Sequence, residues 1–163
     1  MFPPIPVYRG CFTFVGMDLK ANPSATRKAN APRRRLRTIV ADDSPEFLRS
    51  FCTFLRSQAD FDLIGQASDG SEAVTLAGVL QPDLAVLDLE MPGMNGLRAA
   101  ELLRARFPAL RIVMISVHSN FVGRESNGNS VVDAFISKSE LIQNWPREMD
   151  RLFGTAATDG GGK

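Results

Sequence analysis

The chain has 163 residues, enough for one domain with tails and tight for two, and its 44% hydrophobic and 23% charged side chains match an ordinary globular protein rather than a disordered or collagen-like one. No uninterrupted apolar run approaches the roughly 18 residues of a membrane-spanning helix, and the two cysteines, Cys11 and Cys52, form no CxxC or Cys/His cluster, so the pattern points away from an integral membrane protein, a zinc site or a disulfide framework. The net charge of +1 is unevenly placed: residues 1–38 carry eight basic side chains and one acid, net +7, and the remaining 125 carry 11 basic and 17 acidic side chains, net −6.

Residues 1–36 are rich in Pro, Ala, Asn, Ser and Arg, show no sustained apolar period, and lack the large apolar side chains whose burial would offset the entropy of ordering them. A flexible basic tail is expected there. Arg33, Arg34, Arg35 and Arg37 have the charge to meet nucleic-acid phosphates or anionic lipid. A solvated basic linker is the plainer reading, so neither nucleic acid nor a membrane is expected as a partner. The first sixteen residues contain three prolines and no basic start, which makes a poor secretory signal. A reducing, cytoplasmic setting is expected, and Met17 is an alternative translation start.

From Arg37 to Phe153 short β-branched runs alternate with amphipathic stretches. Strands are predicted over 38–41, 63–67, 84–87, 112–115 and 131–136. The first helix begins after Ser44 as its cap, with Pro45 at the first helical position, and carries Phe47, Leu48, Phe51, Cys52 and Leu55 on one stripe, which makes Cys52 a core residue. Ala73, Val74, Ala77 and Leu80 mark a second helix. A third covers 97–107 with Ala99, Leu102, Leu103 and Phe107 inward, and stops before Pro108. Ser139 with Glu140 opens a last helix running to about Phe153, in which Trp145 and Phe153 read as core. Residues 154–163, with three glycines in a row, are expected to be a flexible C-terminal tail. Five strands interleaved with helices imply right-handed βαβ crossovers, and therefore a doubly wound parallel sheet covered on both faces, over 37–153.

In such a sheet the functional crevice lies beyond the carboxyl ends of the strands, and the acids collect there. The first strand runs into Asp42 and Asp43, and the third ends at Asp88. Three carboxylates on one rim raise one another's pKa unless a cation sits between them, and an all-oxygen site suits Mg²⁺. By themselves Asp42 and Asp43 read more readily as caps of the first helix. The fourth strand ends at Ser116 and the fifth at Phe135-Ile136-Ser137-Lys138. Carboxylates, a hydroxyl and an ammonium around one metal are the groups that phosphoryl transfer requires.

Four stretches give the chain its resemblance to a known family: Ile39-Val40-Ala41-Asp42-Asp43-Ser44, Asp88-Leu89-Glu90-Met91-Pro92-Gly93-Met94-Asn95-Gly96, Met114-Ile115-Ser116, and Phe135-Ile136-Ser137-Lys138-Ser139. They resemble the receiver domain of bacterial two-component response regulators, with separations of 45 from Asp43 to Asp88, 28 to Ser116 and 22 to Lys138. The resemblance implies a flavodoxin-like (βα)5 fold with Asp88 as the phospho-acceptor. It implies that Asp42, Asp43, Asp88 and the backbone carbonyl of Glu90 bind Mg²⁺. Ser116 is then the switch hydroxyl, Lys138 the lysine that pairs with the phosphoryl group, and Phe135 the switch aromatic. Pro92 and Gly96 shape the loop after the acceptor, Gly96 by its backbone freedom. The implied partners are a histidine kinase or phosphotransfer protein upstream and a protein target downstream.

The chain departs from that pattern on the family's output side. Residues 120–130 fall where the fourth helix belongs, yet Gly123, Ser126, Asn127, Gly128, Asn129 and Ser130 are poor helix formers, so that helix is expected to be short, frayed or absent. Ser130-Val131-Val132 stands where relatives often have Ala-Gly-Ala, and Pro146 is expected to kink the last helix. The only histidine, His118, reads as a solvated loop residue. The function expected is a stand-alone receiver acting as a switch rather than a turnover enzyme. The alternatives are a truncated transcription regulator without its DNA-binding domain, and a small Mg²⁺-dependent hydrolase working through an aspartyl phosphate.

Overall fold

A computed structural model of the protein describes residues 34–118 and 130–154. The elements are β1 (Leu36–Ala41), α1 (Pro45–Ser57), β2 (Phe61–Ala67), α2 (Gly70–Leu80), β3 (Leu84–Asp88), α3 (Gly96–Arg106), β4 (Arg111–Ser116), β5 (Ala134–Ser137), a 3₁₀ turn (Lys138–Glu140) and α4 (Leu141–Phe153). All five strands are parallel, in the order β2-β1-β3-β4-β5, which is the flavodoxin-like doubly wound sheet expected from the sequence. The expected weak fourth helix falls in 119–129, and most of the two expected tails in 1–33 and 155–163, all outside the described residues.

Because strand side chains alternate in direction, each central strand divides its apolar residues between two cores. Ile39, Ala85, Leu87, Ile112 and Met114 pack with Ala73, Ala77, Ala99 and Leu103 of α2 and α3 on one face. Val40, Val86, Val113, Ile115 and Ile136 pack with Phe51, Cys52, Leu55 and Trp145 of α1 and α4 on the other. Double coverage explains the near-continuous apolar runs, and β3 is buried along its whole length. Cys52 and Trp145 are core residues as expected, whereas Phe153 is only half-buried.

Several boundaries differ from expectation, β1 among them: it begins at Leu36, two residues earlier than predicted and inside the expected tail. Strand β2 begins two residues earlier than predicted, and its pairing with β1 slips between Thr38 and Ile39, so Ile64 is passed over. Strand β5 is shorter: the Asp133 carboxylate accepts the Ile112 N–H at 2.8 Å, where a neighbouring strand's carbonyl would otherwise sit, and pairing starts only at Val113 with Ala134. The last helix opens by way of Ser139 and Glu140, with Glu140 at the N-cap of α4. Those residues form the 3₁₀ turn, Ser139 Oγ lies 2.8 Å from Ser137 Oγ, and α4 then runs unbroken through the exposed Pro146.

Arginines beside the expected domain edge are tied to the fold. Arg34 contacts both carboxylate oxygens of Asp83, at 2.6 and 2.8 Å, the Arg35 guanidinium donates to the Phe61 carbonyl, and Arg37 donates to the Leu80 carbonyl at 2.6 Å.

Candidate functional site

In the order β2-β1-β3-β4-β5 the chain reverses direction of travel between β1 and β3, and a crevice opens at the carboxyl ends of those two strands. Asp42 follows β1 directly and is fully buried, while Asp88 is the last residue of β3 and only 4% exposed. Asp43 stands at the rim, exposed. One carboxylate oxygen from each of the three lies within 4.8 Å of the others. The cap reading of the acid pair does not hold, because Ser44 Oγ caps α1 by accepting the Phe47 N–H at 3.3 Å. Asp42 Oδ1 instead accepts the Ser44 N–H at 2.9 Å, which fixes the carboxylate in the turn.

Lys138 enters from the end of β5. Its Nζ lies 2.6 Å from Asp42 Oδ2 and 3.2 Å from Asp88 Oδ1. The contact with Asp42 Oδ2 is an ion pair without hydrogen-bond alignment, so that oxygen has charge compensation but no directional partner. On its remaining side the ammonium sits over the ring of Phe47, 4.4 Å from the centroid. The sequence pattern places Phe47 only on the apolar stripe of α1. Its position four residues after Asp43, one helical turn into α1, was the available signal.

The other expected residues stand on β4, on β5 and in the loop after β3. Ser116 ends β4, is buried, and its hydroxyl accepts the His118 N–H at 3.0 Å. Phe135 is half-buried on β5, in register with Met114, and packs on the α2–α3 side of the sheet. Glu90 lies two residues beyond Asp88 with an exposed side chain, and His118 Nε2 is 3.5 Å from its carboxylate.

The loop after Asp88 is built by two glycines in different ways. Gly93 follows Pro92 with φ +72°, a left-handed backbone that favours glycine. Gly96 has no such conformation, which corrects the expectation that it supplies backbone freedom; a Cβ there would stand 1.9 Å from the Asp88 carbonyl oxygen. The loop folds so tightly over β3 that only a hydrogen fits, and Gly96 N–H closes it on the Leu89 carbonyl at 3.1 Å.

Burial pushes the Asp88 carboxyl above the ordinary carboxylate range; Lys138 draws it down, and the Asp42 and Asp43 charges push it up again. Among the described residues one ammonium faces the three carboxylates. Three clustered carboxylates of hard oxygen donors, one of them open to solvent, fit Mg²⁺ by donor chemistry.

The family model described as the response regulator receiver domain matches residues 38–145. This chain belongs to the response regulator receiver family. The receiver is 40% identical over 120 residues to a protein-glutamate methylesterase/protein-glutamine glutaminase of Haloarcula marismortui, covering 72% of this chain and 31% of that protein. It is 43% identical over 84 residues to the nitrate/nitrite response regulator protein NarL of Escherichia coli, covering 51% of this chain and 39% of the relative. The chain thus spans about a third of the length of the curated relatives it matches. Among solved structures, the receiver is similar to the response regulator domain of Thermotoga maritima CheB, with a TM-score of 0.58 and 29% identity over 73% of this chain and 94% of that one. The receiver domain of NarL from Mycobacterium tuberculosis gives 0.59 and 27% over 74% and 98%.

Proposed function

We propose that this receiver accepts a phosphoryl group on Asp88, with Mg²⁺, from a histidine kinase or phosphotransfer protein, and passes the signal to a downstream protein. One observation carries the reading: a buried carboxylate at the end of β3, with an ammonium 3.2 Å away and two further acids beside it. An Asp88 carboxylate oxygen attacks phosphorus, an O–P bond forms, and the bond from phosphorus to the donor nitrogen breaks with its electron pair on the imidazole. Lys138 places positive charge beside the equatorial oxygens, where charge develops. The Asp42, Asp43 and Asp88 carboxylates and the Glu90 backbone carbonyl would hold Mg²⁺, which when bound supplies the remaining neutralising charge. Ser116 donates its hydroxyl to the phosphoryl group, and Phe135 moves into the space this opens, a shift between two packings of one strand end. Autodephosphorylation is the only turnover expected, in a cytoplasmic two-component pathway.

The test is the intact mass of the protein after acetyl phosphate and Mg²⁺. Wild type should gain one phosphoryl group and Asp88→Asn none; a variant modified at the wild-type rate would remove Asp88 from the role. A second reading, a receiver module working with a separate output domain, is favoured by the greater length of the curated relatives. Repeated turnover of the phosphodonor, beyond one equivalent plus slow autodephosphorylation, would instead favour a hydrolase.

A further inference from the structure

We propose that Phe47 is a positioning residue for phosphoryl transfer, its ring holding the Lys138 ammonium in place against Asp42 and Asp88. The proposal rests on the reading of Asp88 as the acceptor. Lysine is a point charge on a flexible four-carbon stem, and Lys138 leads out of β5 into a 3₁₀ turn with no side-chain cap. Left alone, such a stem has many rotamers that carry the ammonium into solvent. The crevice restrains it on one side with the Asp42 and Asp88 oxygens at 2.6 and 3.2 Å and on another with the Phe47 ring at 4.4 Å.

An aromatic face does this in a way that a polar wall cannot. The ring quadrupole attracts the charge but offers no lone pair, so the three N–H donors are not committed to it. They stay available for the acid pair before transfer and for a phosphoryl oxygen afterwards. A carboxylate or carbonyl at the same place would hold a donor and compete with the phosphoryl group.

Phe47 is suited to the part because its own position is fixed. Its N–H is held by Ser44 Oγ in the same turn that presents Asp42 and Asp43. Its ring stacks on Phe51 with centroids 5.6 Å apart, and Phe51 meets the buried Trp145 edge-on at 5.2 Å. The ring that faces the ammonium is the outer end of an aromatic column rooted in the core between α1 and α4.

The experiment uses the full chain. In wild type without phosphodonor, the side-chain Hε protons of Lys138, assigned by NMR, should be shifted upfield by the Phe47 ring current. The shift should be lost in Phe47→Leu and kept in Phe47→Tyr. With acetyl phosphate and Mg²⁺, Phe47→Leu should slow phosphorylation about threefold to tenfold, the factor a cation–π contact of this kind is worth, and Phe47→Tyr should restore the rate. In a Lys138→Met background the same Leu substitution should change the rate less than about twofold, since Phe47 acts through the ammonium. Equal slowing in both backgrounds, an unchanged rate in Phe47→Leu, or unshifted Lys138 protons in wild type would overturn the proposal. Should Phe47→Leu fail to fold, the wild-type and Tyr spectra still decide. Failure of wild type to take up phosphate removes the acceptor reading and leaves the NMR result standing by itself.

Discussion

Asp88 sits where its surroundings disfavour the ionised carboxylate. Burial is the strongest influence on its carboxyl and the net displacement is upward, so the folded protein prefers the neutral acid more than the unfolded chain does. At low pH both states are protonated and nothing is lost. As pH rises from the ordinary aspartate value through the raised folded value, the ionised form becomes a growing cost to stability. Asp88→Asn in Mg²⁺-free buffer should therefore melt higher than wild type at neutral pH, with the gain disappearing below about pH 4; thermal unfolding across that range checks it. An equal gain at all pH values would mean that packing, not charge, is responsible. Ser116 bears on a different step. Ser116→Ala should still take up phosphate but should not reproduce the spectral change that accompanies it in wild type, read from the fluorescence of Trp145, the only tryptophan.

Between elements, the sequence did not suggest the polar cluster centred on Asp133. Arg104 of α3 donates to the Asp133 carboxylate and to the Val131, Pro108 and Leu110 carbonyls, while Asp133 also takes Arg111 at 3.0 Å and the Ile112 N–H at 2.8 Å. Arg151 of α4 reaches the Asp133 carbonyl at 2.8 Å. Asp133 thus ties α3 and β4 to the start of β5 through its carboxylate and α4 through its backbone carbonyl, and with the Arg104 bond to the Val131 carbonyl this holds Ser130-Val131-Val132 although it forms no strand. Burial by itself would raise the Asp133 pKa, but the Ile112 N–H and the two arginines outweigh it and hold the carboxyl below the usual range. A depressed acid stabilises fully above its unfolded value, near 3.9, and that stability drains away as pH falls through the folded value. Asp133→Asn should cost about 2–3 kcal/mol at neutral pH, from lost charge-assisted hydrogen bonds, and should flatten the acid limb of the stability profile. Urea unfolding at several pH values measures both.

For the whole molecule, the crevice gathers side chains at or just beyond the carboxyl ends of β1, β3 and β5, so occupancy there is linked to global stability. A ligand that binds only the folded state stabilises it by RT ln(1 + [L]/Kd), about 2.7 kcal/mol at a hundredfold excess over Kd. Mg²⁺ should raise the melting temperature in a saturable way, and Asp43→Ala should shift that titration to higher Mg²⁺; an unchanged titration would remove Asp43 as a ligand. Much of this architecture was legible in the chain itself. Double burial leaves continuous apolar runs, so β1, β3 and β4 stood out, and residues placed just after strand ends marked Asp42, Asp88, Ser116 and Lys138 for one rim. Ser44 and Pro45 signalled the start of α1 because capping is a local interaction. What the sequence could not show depends on contacts between distant segments. Asp133 shortens β5 by reaching a backbone N–H 21 residues away, Gly96 is required by a carbonyl passing under it, and Phe47 meets Lys138 across 91 positions of chain. Local periodicity records which face of an element is apolar, whereas the partner of a given side chain is decided only when the sheet brings the elements together.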